Sequence, residues 1–255
     1  GGSSMADAKQ FEKVKSIVQA DPARRVVIVS AAGKRFSDDH KLTDLLYLCY
    51  AHLKYGVSCD AVFDMIRSRY MEIRDDLGLK TDLETEFAAL RKKMDAGISQ
   101  DELVSRGEYF AAKLMADYLG YDFLDSELWL KFNLDGTVDQ EKSYEILARA
   151  ASGRRVVIPG FYGTMPDGSI KTFTRGGSDI SGALVASATF ANFTGLGCAT
   201  QWWGERRGHD TVRDGLAGLP RDDAVDALAH LDDLARLDVD VGRRAAHAAH
   251  RLVQQ

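Results

Sequence analysis

The chain has 255 residues, 45% of them hydrophobic and 28% charged, with a formal net charge of −5. That supplies apolar side chains for a sizeable core in one large α/β domain or two small ones. The acidic balance excludes a general attraction to nucleic acid or anionic membrane. No signal-peptide pattern or long apolar span is read, so a cytoplasmic location with no membrane partner is expected.

The opening G-G-S-S at Gly1–Ser4 reads as a turn leading into a helix. Asp7–Ala20 then sets Phe11, Val14, Ile17 and Val18 on one helical face. Arg25–Ser30, R-V-V-I-V-S, is a β-branched run with the composition of a buried parallel strand. A charged loop with Gly33, Lys34, Arg35, Asp38, Asp39 and Lys41 follows. It is expected to be solvated, in a position to act as a lid. A helix from Thr43 places Leu45, Leu46, Leu48 and Cys49 inward.

Further helices are predicted at Asp60–Asp76, Asp82–Met94 and Asp101–Leu119. The first carries a core stripe of Phe63, Ile66, Tyr70, Ile73 and Leu77. Tyr121–Asp125 and Arg155–Ile158 are short strands with a helix at Asp139–Ala151 between them. Strand–helix alternation argues for a three-layer α/β/α sandwich with a mainly parallel sheet. Ligands of such sheets bind beyond the strand C-termini.

A Gly-bearing turn, P-G-F-Y-G-T-M-P-D-G at Pro159–Gly168, precedes T-F-T-R-G-G-S-D-I-S at Thr172–Ser181. Gly176 and Gly177 allow close backbone approach. Ser178 and Asp179 stand where they could cap the helix over the apolar run Gly182–Ala191. A helix N-terminus beside two glycines favours an anion. Arg175 offers a planar fork for a carboxylate or phosphate, and Asp179 the opposite charge for an ammonium group. A capped helix start with an Arg–Asp surface pair accounts for the same residues.

Beyond Asn192 the composition changes. No Lys follows Lys171, no Ile follows Ile180, no Tyr follows Tyr162, and four of the six histidines lie there. Cys49, Cys59 and Cys198 lack metal-type spacing, so no metal site is expected and the thiols read as buried or free in a reducing compartment.

Five separated motifs occur in order: G-G-S-S at Gly1–Ser4, V-S-A-A-G-K-R-F-S-D-D-H-K-L-T-D-L-L at Val29–Leu46, S-R-G-E at Ser105–Glu108, P-G-F-Y-G at Pro159–Gly163 and R-G-G-S-D at Arg175–Asp179. Together they resemble the aspartate kinases of the amino-acid kinase family, continuously from Gly1 to about Ala191. The resemblance implies ATP-dependent phosphorylation of the L-aspartate side-chain carboxylate, the entry step to lysine, threonine and methionine synthesis, with Mg²⁺ on the ATP. It assigns Ser30, Thr43, Glu108, Phe161, Arg175, Ser178 and Asp179 to the aspartate pocket, with Arg175 and Asp179 catalytic. It assigns Gly1, Gly2, Ser3, Gly176 and Gly177 to phosphate. A homodimer is implied for the complete protein.

The resemblance also places a lysine-bearing strand ahead of Gly1, a nucleotide-binding part where residues 192–255 stand, and regulatory ACT domains that have no counterpart here. The 255-residue chain is therefore expected to be a weak or inactive kinase. Two alternatives are a kinase for glutamate or an acetylated amino acid, and a non-catalytic aspartate-binding fragment. The tail is read either as divergence or as a shifted reading frame in GC-rich DNA. Translating the gene in its other frames separates these: a frameshift predicts nucleotide-binding motifs in one of them, and finding none in either removes it.

Overall fold

The computed structural model describes residues 1–173 and 177–192, with side chains through Thr189. A short 3-10 turn at Gly2–Met5 leads into α1 (Ala8–Gln19) and β1 (Val26–Val29). Four helices follow: α2 (Leu42–Lys54), α3 (Asp60–Asp76), α4 (Leu83–Asp95) and α5 (Gln100–Leu119). Then come β2 (Asp122–Phe123), α6 (Ser126–Trp129), α7 (Gln140–Ala151) and β3 (Val156–Pro159). The strands β4 (Tyr162–Thr164) and β5 (Ile170–Thr172) precede α8 (Gly177–Asn192).

The central sheet is parallel in the order β1-β3-β2, with Val26 opposite Val156 and Val29 opposite Pro159. Successive strand side chains point to opposite faces, and this alternation divides the interior in two. Val27, Val29 and Val157 join the core shared with α1 to α5. Val156, Ile158, Val26 and Ile28 face the second, with α7 and Leu184, Val185 and Ala188 of α8. The described residues thus form the expected α/β/α layers.

The helix starts have identifiable causes. Asp7, Asp82 and Asp139, expected as first residues, are N-caps whose carboxylates accept from the N–H groups of Gln10, Thr85 and Lys142. Ser99 caps α5 in the same way. Gly120 ends that helix at φ 67, a left-handed position that suits glycine. The aromatic rings of Phe87 and Phe110 stack at 4.2 Å and help seat α4 on α5.

Several expectations are corrected. The strand expected over Tyr121–Asp125 is only Asp122–Phe123, because Asp125 turns away to cap α6 through Glu127 N–H. The turn expected at Pro159–Gly168 is the end of β3 and most of a hairpin, in which Tyr162 pairs with Thr172 and Thr164 with Ile170. Ile17 and Leu48 face outward, 56% and 44% exposed. Leu42, one residue before the expected helix start, fills the inward position instead.

The charged loop after β1 is not solvated throughout: Lys34 to Asp38 are exposed, but its later part is tied down at Asp39. Asp39 is buried, and its Oδ2 accepts from Arg69 Nη1 at 2.8 Å and Arg35 Nε at 2.9 Å. Arg69, itself buried on α3, also donates to Gly33 O at 2.8 Å and Ala6 O at 3.3 Å. A buried guanidinium has thus replaced water as the partner of the loop carbonyls. Hydrogen bonds from Arg35, reinforced by Arg69, hold the Asp39 carboxyl well below its ordinary 3.8.

Breaking a buried pair from one side typically costs about 3–5 kcal/mol. Asp39→Ala should lower stability in urea unfolding by about that much, and Asp39→Leu combined with Arg69→Met by clearly less. Because the folded value is depressed, Asp39's contribution is complete above pH about 4 and is lost as pH falls through that lower value. Acid titration of stability should therefore be steeper for the native chain than for the double variant.

Candidate active site

β1 and β3 finish side by side. The N–H of Gly160 donates to Val29 O at 2.9 Å, which sets Ser30 and Ala31 beside Gly160 and Phe161. Three other segments close on this edge. Gly33 N–H donates to Gly2 O at 2.8 Å and holds the 3-10 turn against the loop. Leu42 N–H donates to Ala32 O at 3.2 Å and brings up the first turn of α2, with Thr43. The start of α8 rests directly on the loop after β3: a Cβ at Gly160 would lie 2.6 Å from Ser178 Cα. Only glycine permits that approach.

Phe161 is the one described non-glycine residue at positive φ, 84°. Such a conformation costs of order 1 kcal/mol or more and persists where neighbours over-determine it. Here its N–H donates to Ser181 Oγ at 3.0 Å, and its C=O accepts from Phe173 N–H at 2.9 Å. Helix α8 and the hairpin end thus hold the strained residue from both sides. Thr172 Oγ1 in turn donates to Asp101 Oδ1 at 2.7 Å and ties the hairpin to α5.

The floor is α5. A Cβ at Gly107 would meet Ala31 Cβ at 2.9 Å, so this helix packs tightly beneath the end of β1. Glu108 is buried next to it, and its Oε2 has no hydrogen-bond partner among the described residues. Burial pushes its carboxyl up to about 8, with hydrogen bonding from Ala31 N–H pulling the other way. The nearby phenols of Tyr47 and Tyr70 are also raised, by burial first and then by the Glu108 charge among others.

Of the residues predicted from sequence, Gly2, Ser3, Ser30, Thr43, Glu108, Phe161, Gly177 and Ser178 belong to segments that meet at this edge. Gly1 and Ser3 are exposed, as is Asp179. Ser178 and Asp179 sit inside the first turn of α8, not at its cap. Arg175 and Gly176 lie outside the described residues.

Sequence reading missed two supports. Ser181 holds Phe161, and its signal was a hydroxyl four residues beyond Gly177, whose carbonyl it also bonds at 2.8 Å. Arg106 is a buried cation at the back of the site. It donates to Glu127 Oε1 at 3.0 Å and Ser105 Oγ at 2.9 Å, and lies over the rings of Tyr109 and Tyr162. Its trace was its place in the S-R-G-E motif, between the small residues Ser105 and Gly107.

A profile of the amino acid kinase family matches residues 1–193. The chain belongs to the amino acid kinase family. Among curated members of the family it is similar to aspartokinase 3 of Bacillus subtilis (strain 168), 33% identical over 215 residues. That match covers 76% of this chain and 47% of the relative. It is also similar to the bifunctional aspartokinase/homoserine dehydrogenase 2 of Escherichia coli (strain K12), 29% identical, covering 73% of this chain and 25% of the relative.

Among solved structures, Clostridium acetobutylicum aspartate kinase superposes with TM-score 0.73 at 42% identity, over 74% of this chain and 44% of that one. E. coli aspartokinase III, in complex with aspartate and ADP, superposes with TM-score 0.65 at 25% identity, over 74% and 46%. The chain spans less than half the length of each of these relatives. No helix among the described residues is long and apolar enough to cross a membrane.

The state of Glu108 is testable on this kinase-family fold. Its folded value is raised above the ordinary 4.5, so its contribution to stability is fully present below that pH and is lost as pH rises through about 8. Thermal melting should show the native chain losing stability across that window, while Glu108→Gln, which cannot ionise, stays flat. Parallel curves for the two chains would show that the carboxyl is solvated.

Proposed function

We propose that residues 1–191 form the substrate-binding part of an aspartate kinase, which phosphorylates the side-chain carboxylate of L-aspartate with ATP to give 4-phospho-L-aspartate. The product enters lysine, threonine and methionine synthesis. The observation that carries this reading is the buried Glu108 carboxyl, with an oxygen left unpartnered among the described residues, beside the end of β1 where the segments from β3, α2 and α8 meet. A buried polar atom without a partner is costly, and a ligand with an ammonium group relieves that cost. The similarity to aspartokinases, one of them solved with aspartate and ADP, supports the choice of ligand.

In this reading Glu108 and Asp179 meet the substrate's α-ammonium, and Arg175 grips a carboxylate through its two-pronged fork. Ser30, Thr43 and Ser178 supply hydroxyls, and the Phe161 segment closes one wall. Backbone amides of Gly1, Gly2, Ser3, Gly176 and Gly177 receive the transferred phosphate. Phosphoryl transfer asks mainly for positioning and charge neutralisation, and these groups are of that kind. No group of three or more His, Cys, Asp or Glu among the described residues could cage a metal, so Mg²⁺ is proposed to arrive on the ATP phosphates. Residues 192–255 stand where the family keeps its nucleotide-binding part, and the complete protein is proposed to be a homodimer.

Titration calorimetry of the chain with L-aspartate, L-glutamate and an N-acetylated amino acid, beside coupled ADP release with Mg-ATP, tests the assignment. Aspartate should bind in clear preference to both others. Heat with glutamate and none with aspartate would overturn the substrate; binding without any ADP release would leave an aspartate-binding fragment. Arg175→Ala should cost ~2–5 kcal/mol in aspartate binding, the usual loss for one partner of a hydrogen-bonded charge pair. Arg175→Lys should restore little. Thr43→Ala should cost on the order of 1 kcal/mol, the worth of a neutral hydrogen bond. Melting temperatures should stay near the native value in all three.

A further inference from the structure

The three parallel strands begin on one rung, at the end of the sheet away from the candidate site. Val26 lies opposite Val156. Arg25 and Arg155 are therefore neighbours one residue earlier, and Val156 N–H donates to Arg25 O at 2.8 Å. Tyr121 stands on the same rung ahead of β2, where Asp122 N–H donates to Arg155 O at 2.9 Å. By strand alternation Arg25 and Arg155, each two residues before Val27 and Val157, leave the sheet on the side of α1 to α5. Adjacent strands are about 4.8 Å apart, so the two arginine stems rise side by side.

A cleft of about 530 Å³ opens at this place, lined by Pro22, Arg25, Gly120, Asp122, Gly153 and Arg155. Its rim is made of three turns, one ahead of each strand. Gly120 and Gly153 form two of them at φ 67 and 70, and a Cβ at either would meet nothing within 4 Å. The mouth is accordingly open. The one acid of the lining, Asp122, is met from outside it by Arg154 Nε at 2.9 Å.

We propose that this cleft is a binding site for a phosphate-class dianion, held between the guanidinium forks of Arg25 and Arg155.

Arg155 is prepared for that task. Its guanidinium lies over the ring of Tyr121, 5.7 Å from the centroid. The ring is itself fixed at its far end, because Tyr121 Oη donates to Arg24 O at 3.2 Å. A stacked guanidinium presents its edge, where the N–H donors are, to an oxyanion, and its fork matches phosphate bidentately. Two arginines suit two negative charges. An anion between them also offsets the repulsion that like charges on opposed strand positions bring. The volume falls within the range of ordinary small-molecule sites, roughly 300–1,000 Å³, and leaves room beside a phosphate for a sugar.

The cleft bears on the candidate site through the strands. β1 and β3 have four residues each, so about 13 Å of strand separates this rung from the edge where Gly160 N–H meets Val29 O. An anion bridging Arg25 and Arg155 joins the two strands at their start, as that bond joins them at their end. The inference does not depend on the phosphoryl-transfer reading, whose own phosphate groups are placed at the opposite end of the sheet.

The test is titration calorimetry of the 255-residue chain in low-salt buffer free of phosphate, with inorganic phosphate and ribose 5-phosphate as probes and ribose as the uncharged control. Saturable binding of at least one phosphate probe is expected, and none of ribose. Arg25→Gln and Arg155→Gln should each weaken it about tenfold or more, the usual loss for a charge-assisted partner. Arg155→Lys should recover little, since a point charge lacks the fork. Affinity should fall as potassium chloride is added. Pro22→Glu, which sets a negative charge on the exposed rim, should weaken binding too, and decides the matter even if an arginine variant melts early. Tighter binding of ribose 5-phosphate identifies a phosphate ester as the ligand, and equal affinity identifies the free anion; both keep the site. The proposal is overturned if neither phosphate probe binds saturably. It is equally overturned if both Gln variants and Pro22→Glu bind as the native chain does, which would send the anion to another part of the molecule.

Discussion

The register between β1 and β3 is the constraint on which the site depends. Val29 lies opposite Pro159, so both strands run out at the same level, and the bond from Gly160 N–H to Val29 O closes the pair. Everything else is hung on that edge: α5 below through Gly107, α8 above through Gly160, and the 3-10 turn at the side through Gly33. A shift of one residue would exchange the faces of the whole strand. Val27 and Val29 would then leave the helical core, which is a strong reason for the register to be unique.

Two buried acids show how the fold assigns opposite tasks to one kind of side chain. Asp39 is held ionised by the guanidinium groups of Arg35 and Arg69, and fixes a loop. Glu108 has a backbone N–H beside it but no paired cation among the described residues, so burial favours its neutral form. A satisfied charge gives the site its rigid rim. A neutral carboxyl with one oxygen unpartnered among the described residues is instead the kind of perturbed group that clusters at functional sites.

The layers were legible because they rest on local signals. The β-branched runs Val26–Val29 and Val156–Ile158 read as strands, and the Asp caps marked helix starts to within one residue. The proposed pocket residues were assigned only through five motifs taken together. What sequence hid was long-range pairing. Nothing local distinguishes Asp39, which is buried, from Asp38, which is exposed; the difference is made by Arg69, thirty residues on. Likewise Y-G-T became a strand because I-K-T lay within reach to pair with it. The glycines between Pro159 and Gly168 suggested only a turn.

The sheet that organises the site is also the slowest part of the molecule to assemble. β1 must find a partner about 130 residues further along the chain, and pairings of such sequence separation slow folding. At ribosomal speeds of roughly 5–20 residues per second, Val26–Val29 waits on the order of ten seconds before Val156–Pro159 exists. Helix α1 already precedes the strand, α2 to α5 are made in that interval, and the five share one core. They can gather around the unpaired strand and keep its apolar edge from other chains. The helical layer then serves during synthesis as a shelter for a strand whose proper neighbour has yet to be made.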